Sequence, residues 1–98
     1  MALLHMNGAQ VLVRLLLAEQ VRDIYGIVGG KLGPLLHAIS QQEQLRFLGV
    51  RHEAAGPMMA AAAYAGSGRM AVALGEMGPG GLNLASGLGV AFNNNLAL

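Results

Sequence analysis

The stretch "LRFLGVRHEAAGPMMAAAAYAGSGRMAVALG", residues 45–75, reads as three elements in succession. "LRFLGV" (45–50) is a short β-rich run. "EAAGPMMAAAAYAG" (53–66) is dominated by alanine and methionine, both good helix formers, and Gly66 and Gly68 close it. "MAVALG" (70–75) is an uninterrupted apolar run, the pattern of a strand covered on both faces. A strand, a helix and a second strand joined by short loops form a crossover unit, and such units place their strands parallel with a right-handed connection.

The same alternation continues on both sides. Upstream, Asn7 is placed to cap a helix running to about Val21, with Leu12, Leu15 and Leu16 on one apolar face and Arg14 and Glu19 turned away. "DIYGIV" (23–28) is a strand ending at Gly29-Gly30, and "LGPLLHAISQQ" (32–42) returns to helical spacing through Leu35, Leu36 and Ile39. Downstream, "GGLNLASGLGVAF" (80–92) reads as a helix and "LAL" (96–98) as the start of another apolar strand. The fold class is therefore α/β, a parallel sheet with helices on both faces in three layers, and incomplete at its C-terminal strand. No internal repeat or linker divides residues 1–98, which are read as one unit of a larger domain.

Composition narrows the function classes. Charged residues make up 11% of the chain and hydrophobic residues 54%, against about 25% charged in an ordinary soluble domain. After Arg69 the single charged side chain is Glu76, so the C-terminal third is expected to be covered by a partner surface. The six basic residues are scattered singly along the sequence and the net charge is +1, which gives no electrostatic footprint for nucleic acid. The absence of cysteine excludes disulfides and thiolate metal sites and fits a reducing cytoplasm. "MALLHMNGAQ" lacks the basic start and small-residue cleavage site of a signal peptide. The longest nearly apolar run, Ala54–Gly66, is shorter than the roughly 20 residues of a membrane span.

Three motifs bear on chemistry. "HEAAG" opens like a zinc-protease motif but has Gly56 where the second histidine belongs, and His5, His37 and His52 have no ligand spacing, so no metal site is expected. "GEMGPGGLN" (75–83) occupies the place of a dinucleotide-binding loop, yet Asn83 replaces the third glycine and no acid follows Glu76. Its Gly-Pro-Gly is either a tight reversal of the chain or a ligand-contacting loop. Glu53 taken alone is a helix-start acid, favoured there by roughly 0.3–1 kcal/mol through the helix dipole. Its place at the carboxyl end of a strand, beside the glycine loops at 29–30 and 75–81, gives it a second reading, because ligands of open α/β sheets gather at that edge.

In order and spacing, "YGIVGG" (25–30), "VRHEAAGPMMAAAAYAGSGR" (50–69), "LGEMGPGGLNLASGLGVAF" (74–92) and "NNNLAL" resemble the N-terminal pyrimidine-binding domain of thiamine-diphosphate-dependent enzymes of the acetolactate synthase, benzoylformate decarboxylase and pyruvate oxidase type. The resemblance implies that Glu53 hydrogen-bonds the aminopyrimidine ring of thiamine diphosphate and favours the imino tautomer that deprotonates the thiazolium carbon. Such a carboxylate is expected in a dry setting, with Ala54, Ala55, Met58 and Met59 excluding water, burial raising its pKa and the helix start holding it down. The resemblance further places Val28 and Gly29 beside the cofactor, with Val28 where many relatives have proline, and matches Asn83 to the asparagine after the Gly-Pro-Gly. Glu76 stands where the family usually has threonine or, in some decarboxylases, histidine. A second carboxylate at the centre would act as an acid-base group on a bound carbonyl or repel a 2-oxo acid, and Glu76 is expected to tune substrate choice.

The family holds the diphosphate and its magnesium in a separate domain carrying a Gly-Asp-Gly motif. No Gly-Asp-Gly occurs here, and Asn93-Asn94-Asn95 does not replace it. The resemblance thus implies a fragment inactive alone, which meets the diphosphate-binding domain of the same or another subunit in a homo-oligomer. Its expected chemistry is that of a lyase or transferase acting on a 2-oxo acid. The alternatives are a subunit of a split 2-oxo acid decarboxylase and a non-catalytic α/β interaction module.

Overall fold

The structure is a computed structural model describing residues 5–98; Met1–Leu4, part of the opening stretch read above, lie outside the described residues. Helix α1 (Gly8–Ala18) starts at Asn7, whose Oδ1 accepts the Gln10 backbone N–H at 2.9 Å while the Gln10 side chain accepts the Asn7 N–H. This reciprocal cap stabilises a helix start by about 1 kcal/mol. Strand β1 (Asp23–Gly26) follows, then a short 3₁₀ turn (Gly30–Leu32) leading into α2 (Gly33–Ser40). Strand β2 (Arg46–Gly49), helix α3 (Ala55–Ser67), strand β3 (Val72–Leu74) and helix α4 (Met77–Asn93) complete the order.

The sheet has the order β2-β1-β3, and both pairings are parallel. Ile24 is level with Phe47 and Val72, and Tyr25 with Leu48 and Ala73. Because successive side chains leave a strand on opposite faces, this register sorts the core into two halves. Ile24 joins Val13, Val21, Ala38, Ile39 and Leu45 beneath α1 and α2. Tyr25 joins Ala60 and Ala71 on the face covered by α3. Helices on both faces of a parallel sheet are what the sequence pattern implied.

Four local expectations need correction. The inward residue of α1 is Val13, 1% exposed, supported by Ala9, Leu16 and Leu17, whereas Leu12 and Leu15 are exposed. The apolar stretch 11–17 admits more than one helical phase, and the sheet selects the one that buries Val13, worth roughly 1.5–3 kcal/mol. Helix α3 begins at Ala55, so Glu53 lies in the turn before it. Helix α4 begins at Met77, so Gly78-Pro79-Gly80 forms its first turn and is no chain reversal; proline is tolerated there because the first N–H groups of a helix have no intrahelical partner. Finally, Leu96–Leu98 pair with no strand. Leu96 N–H instead bonds the Ala91 carbonyl at 2.9 Å and Leu98 packs on the Tyr25 cluster.

Small residues are buried along both α3 and α4. Gly56, Ala60 and Ala61 are buried on α3, and Gly80, Gly87 and Ala91 on α4. At Gly87 a Cβ would overlap the carbonyl oxygen of Ala54 and lie 3.0 Å from its carbon. A backbone carbonyl cannot rotate away as a side-chain tip can. Gly87→Ala is therefore expected to force α4 off the 51–54 turn and to cost about 1–3 kcal/mol, read as a lowered Tm, while Gly89→Ala, with open space at its Cβ, leaves the Tm unchanged or raises it.

Candidate functional site at the carboxyl edge of the sheet

All three strands point their carboxyl ends at one edge, and the loops that leave them carry the residues singled out in the sequence. After β2 the chain turns through Arg51–Ala54, where His52 Nδ1 accepts the Ala54 N–H at 3.1 Å and the Glu53 carbonyl accepts the Gly56 N–H at 2.9 Å. This turn fixes the half-buried Glu53. Its Oε1 accepts a hydrogen bond from Asn83 Nδ2 on α4 at 2.9 Å, and its Oε2 would sit 3.3 Å from a Cβ at Gly80. Gly80, Asn83 and Gly87 are three and four residues apart, so they share one face of α4. That face lies against Glu53 and Ala54.

The Glu53 carboxyl is held below the usual glutamate range, chiefly by the Asn83 hydrogen bond and next by Glu53's own backbone N–H, against a smaller desolvation penalty. Lowering prevails over the burial effect expected from the sequence. On α3, Met58 and Met59 are 43% and 42% exposed, whereas Ala54 in the turn before it is buried.

Glu76 follows β3 at the same edge. Its Oε2 accepts the Lys31 backbone N–H at 2.9 Å, and a Cβ at Gly29 would overlap its carboxylate. The next residue, Met77, has φ 60°, a left-handed conformation that costs a non-glycine residue about 1–3 kcal/mol. Gly75 closes the gap between the two halves of the edge, since a Cβ there would lie 3.0 Å from the Gly80 carbonyl oxygen. The structure thus gathers Glu53, Asn83 and Gly80 in one group and Gly29 and Glu76 in an adjoining one.

Val28 immediately precedes Gly29. It is 70% exposed and lines an apolar cavity of about 370 Å³ with Leu36, Ile39, Leu45 and Phe47 on the α2 side of the sheet. Neither carboxylate lines that cavity. Sequence reasoning passed over Lys31, which acts through its main chain and leaves no side-chain signal. It weighed His52 only as a metal ligand, whereas three residues before the helix start its ring accepts the Ala54 N–H. Among the described residues, no three His, Asp or Glu side chains cluster as a metal site would require, and no helix is long and apolar enough to cross a membrane.

Residues 6–98 match the family described as thiamine pyrophosphate enzyme, N-terminal TPP binding domain. The chain belongs to this family. Among curated relatives of this TPP-binding domain, the chain is 34% identical over 90 residues to a probable acetolactate synthase large subunit of Methanococcus aeolicus, covering 92% of the chain and 15% of that protein. It is 39% identical over 82 residues to pyruvate oxidase of Lactiplantibacillus plantarum, covering 83% and 13% respectively. With the catabolic acetolactate synthase of Raoultella terrigena the identity is 38% over 85 residues, covering 87% and 15%. The chain therefore spans 13–15% of the length of these relatives. The family match supports thiamine pyrophosphate as the cofactor.

The Glu53–Asn83 pair sets a pH dependence of known sign. A carboxylate whose folded-state pKa is depressed adds stability above its unfolded pKa, and that stability is lost as the pH falls through the folded value. Asn83→Ala removes the main cause, so the Glu53 titration is expected to move up toward the ordinary glutamate range, followed by ¹³C NMR of the side-chain carboxyl. An unmoved titration would show that the hydrogen bond does not control the charge.

Proposed function

We propose that this chain supplies the aminopyrimidine side of a thiamine diphosphate site, with Glu53 as the carboxylate that hydrogen-bonds the ring. The observation that carries the reading is an acid at the carboxyl edge of a parallel sheet, oriented through one oxygen by Asn83 while the other faces a glycine. The residues present fit a flat heteroaromatic ring. The missing side chain at Gly80 leaves room beside Oε2 that any Cβ would fill, and the depressed pKa of Glu53 keeps the carboxylate ionised as an acceptor for a protonated ring nitrogen. When bound, thiamine diphosphate would supply an acidic thiazolium carbon and a cationic ring able to take up the electron pair released by a 2-oxo acid.

The chain's own part is to hold a proton at the ring nitrogen. Glu53 accepts the hydrogen bond from that N–H, Asn83 orients the carboxylate through Oε1, and the 51–54 turn fixes the main chain that carries it. Dryness has to come from elsewhere, because Met58 and Met59 are exposed. In this reading the covering surface is the diphosphate-binding domain of the same or another subunit, which also holds magnesium. Helix α4 presents the matching face through exposed Met77, Leu82, Leu88 and Phe92, an apolar stretch of the kind that marks contact surfaces. The whole protein is then an acetolactate-synthase-like lyase or transferase acting on 2-oxo acids, a homo-oligomer working in the cytoplasm.

The test is C2 proton exchange of thiamine diphosphate on the full-length protein, measured by NMR after acid quench. Glu53→Gln keeps the shape and the Asn83 contact but abolishes the charge, and exchange is expected to slow by about 10²–10⁴-fold, the usual range for losing a positioned acid-base group. Exchange within threefold of the unmodified protein would sink the reading.

A further inference from the structure

The Gly29–Lys31 turn and the loop after β3 are brought together by one side chain. Glu76 reaches across 45 positions of sequence to accept the Lys31 N–H through Oε2, and its other oxygen lies against Gly29, where a Cβ would overlap it. The absent side chain of Gly29 is the space that Glu76 occupies. On the donor side, the 3₁₀ turn Gly30–Leu32 has no side-chain cap of its own, Gly29 being its N-cap residue. The amide at Lys31 is one of the donors that such a turn leaves without an internal partner. On the acceptor loop, Glu76 is extended at φ −132°, ψ 158° and is followed at once by the left-handed Met77. That reversal starts α4 while the Glu76 carboxylate remains at the sheet edge, beside the β1 loop.

We propose that Glu76 is a positioning residue: its carboxylate clasps the Gly29–Lys31 main chain to the Gly75–Gly80 segment, fixing the two glycine-bearing loops as one wall of the site beside Glu53. Its Oε2 accepts the Lys31 amide and its other oxygen packs against Gly29, so the carboxylate acts through the main chain it holds. This assignment rests on the reading of the edge as the cofactor site, and it replaces the expectation that Glu76 selects the substrate by its charge.

Two measurements on the full-length protein test it, together with a control. In the protein without cofactor, hydrogen exchange at the Lys31 amide is expected to accelerate about tenfold or more in Glu76→Ala, the order expected for losing a hydrogen bond to a charged group. Exchange at Ile24–Gly26 is expected to stay unchanged, showing the sheet intact. Glu76→Gln, which keeps an acceptor oxygen, is expected to restore most of the protection at Lys31. In steady-state assays, Glu76→Ala is expected to raise the KM for thiamine diphosphate about tenfold with kcat within about twofold, and Glu76→Gln to return KM most of the way. Unchanged Lys31 exchange in Glu76→Ala would overturn the clasp, as would a fall in kcat shared equally by both variants at constant KM. Glu53→Gln run alongside tests the site itself: if it leaves turnover intact, the cofactor reading fails while Lys31 exchange still decides the clasp.

Discussion

The close approach of α4 to the turn before α3 is the contact on which the site depends. Gly87 lies directly against the Ala54 main chain, a separation that only glycine allows. One turn earlier on the same face is Asn83, and a further turn back is Gly80. Fixing Gly87 against Ala54 therefore carries the Asn83 amide to hydrogen-bond distance of the neighbouring Glu53 and places Gly80 beside the second carboxylate oxygen. A larger residue at 87 would move all three together, since they ride on one rigid helix. The spacing of two glycines and an asparagine on α4 is thus a packing requirement and a chemical one at once.

The two acids at the edge meet different fates for a physical reason. Glu53 is bonded by a side chain, and its second oxygen faces space left by a glycine. Glu76 is bonded by a backbone amide and backed by Gly29. A carboxylate tied to a main-chain amide through one oxygen and packed on a glycine with the other stiffens the two loops it joins. One held by a single neutral amide keeps an acceptor for a ligand. Carboxylates a few residues from equivalent strand ends can thus differ in role without differing in residue type, because the roles follow from what the flanking glycines vacate.

Much of this was readable in the letters, and the failures have identifiable causes. The alternation of β-rich runs with helix formers defined the parallel three-layer sheet, because strands parallel and adjacent need crossovers of just such length. The edge location of Glu53, Asn83 and the glycine loops followed from that topology. Helix phase did not follow in α1, where Leu12, Val13, Leu15, Leu16 and Leu17 are all apolar and only the sheet decides between them. The start of α4 was hidden because Gly-Pro-Gly is the composition of a turn and is also compatible with a helix's first turn. The expected dryness around Glu53 rested on counting methionines without knowing their direction, and Met58 and Met59 point outward. The Lys31 contact had no signature at all, since every residue but proline carries the same N–H.

The exposure of those methionines gives the incomplete enclosure a physical meaning. An acid that must exchange a proton with a weak ring base works best where water is excluded, yet a domain that sealed its own acid would raise the acid's pKa and bury an unpartnered charge while waiting for a ligand. Here the charge is kept solvated and lowered in pKa by Asn83, which suits the unliganded domain. The apolar residues that would complete the seal, Met58, Met59 and the exposed row on α4, lie at its surface instead. Enclosure by a second surface would add the desolvation only after the ring nitrogen is in place to share the proton, so that the energetic cost of a dry carboxylate is met by its bond to the ring.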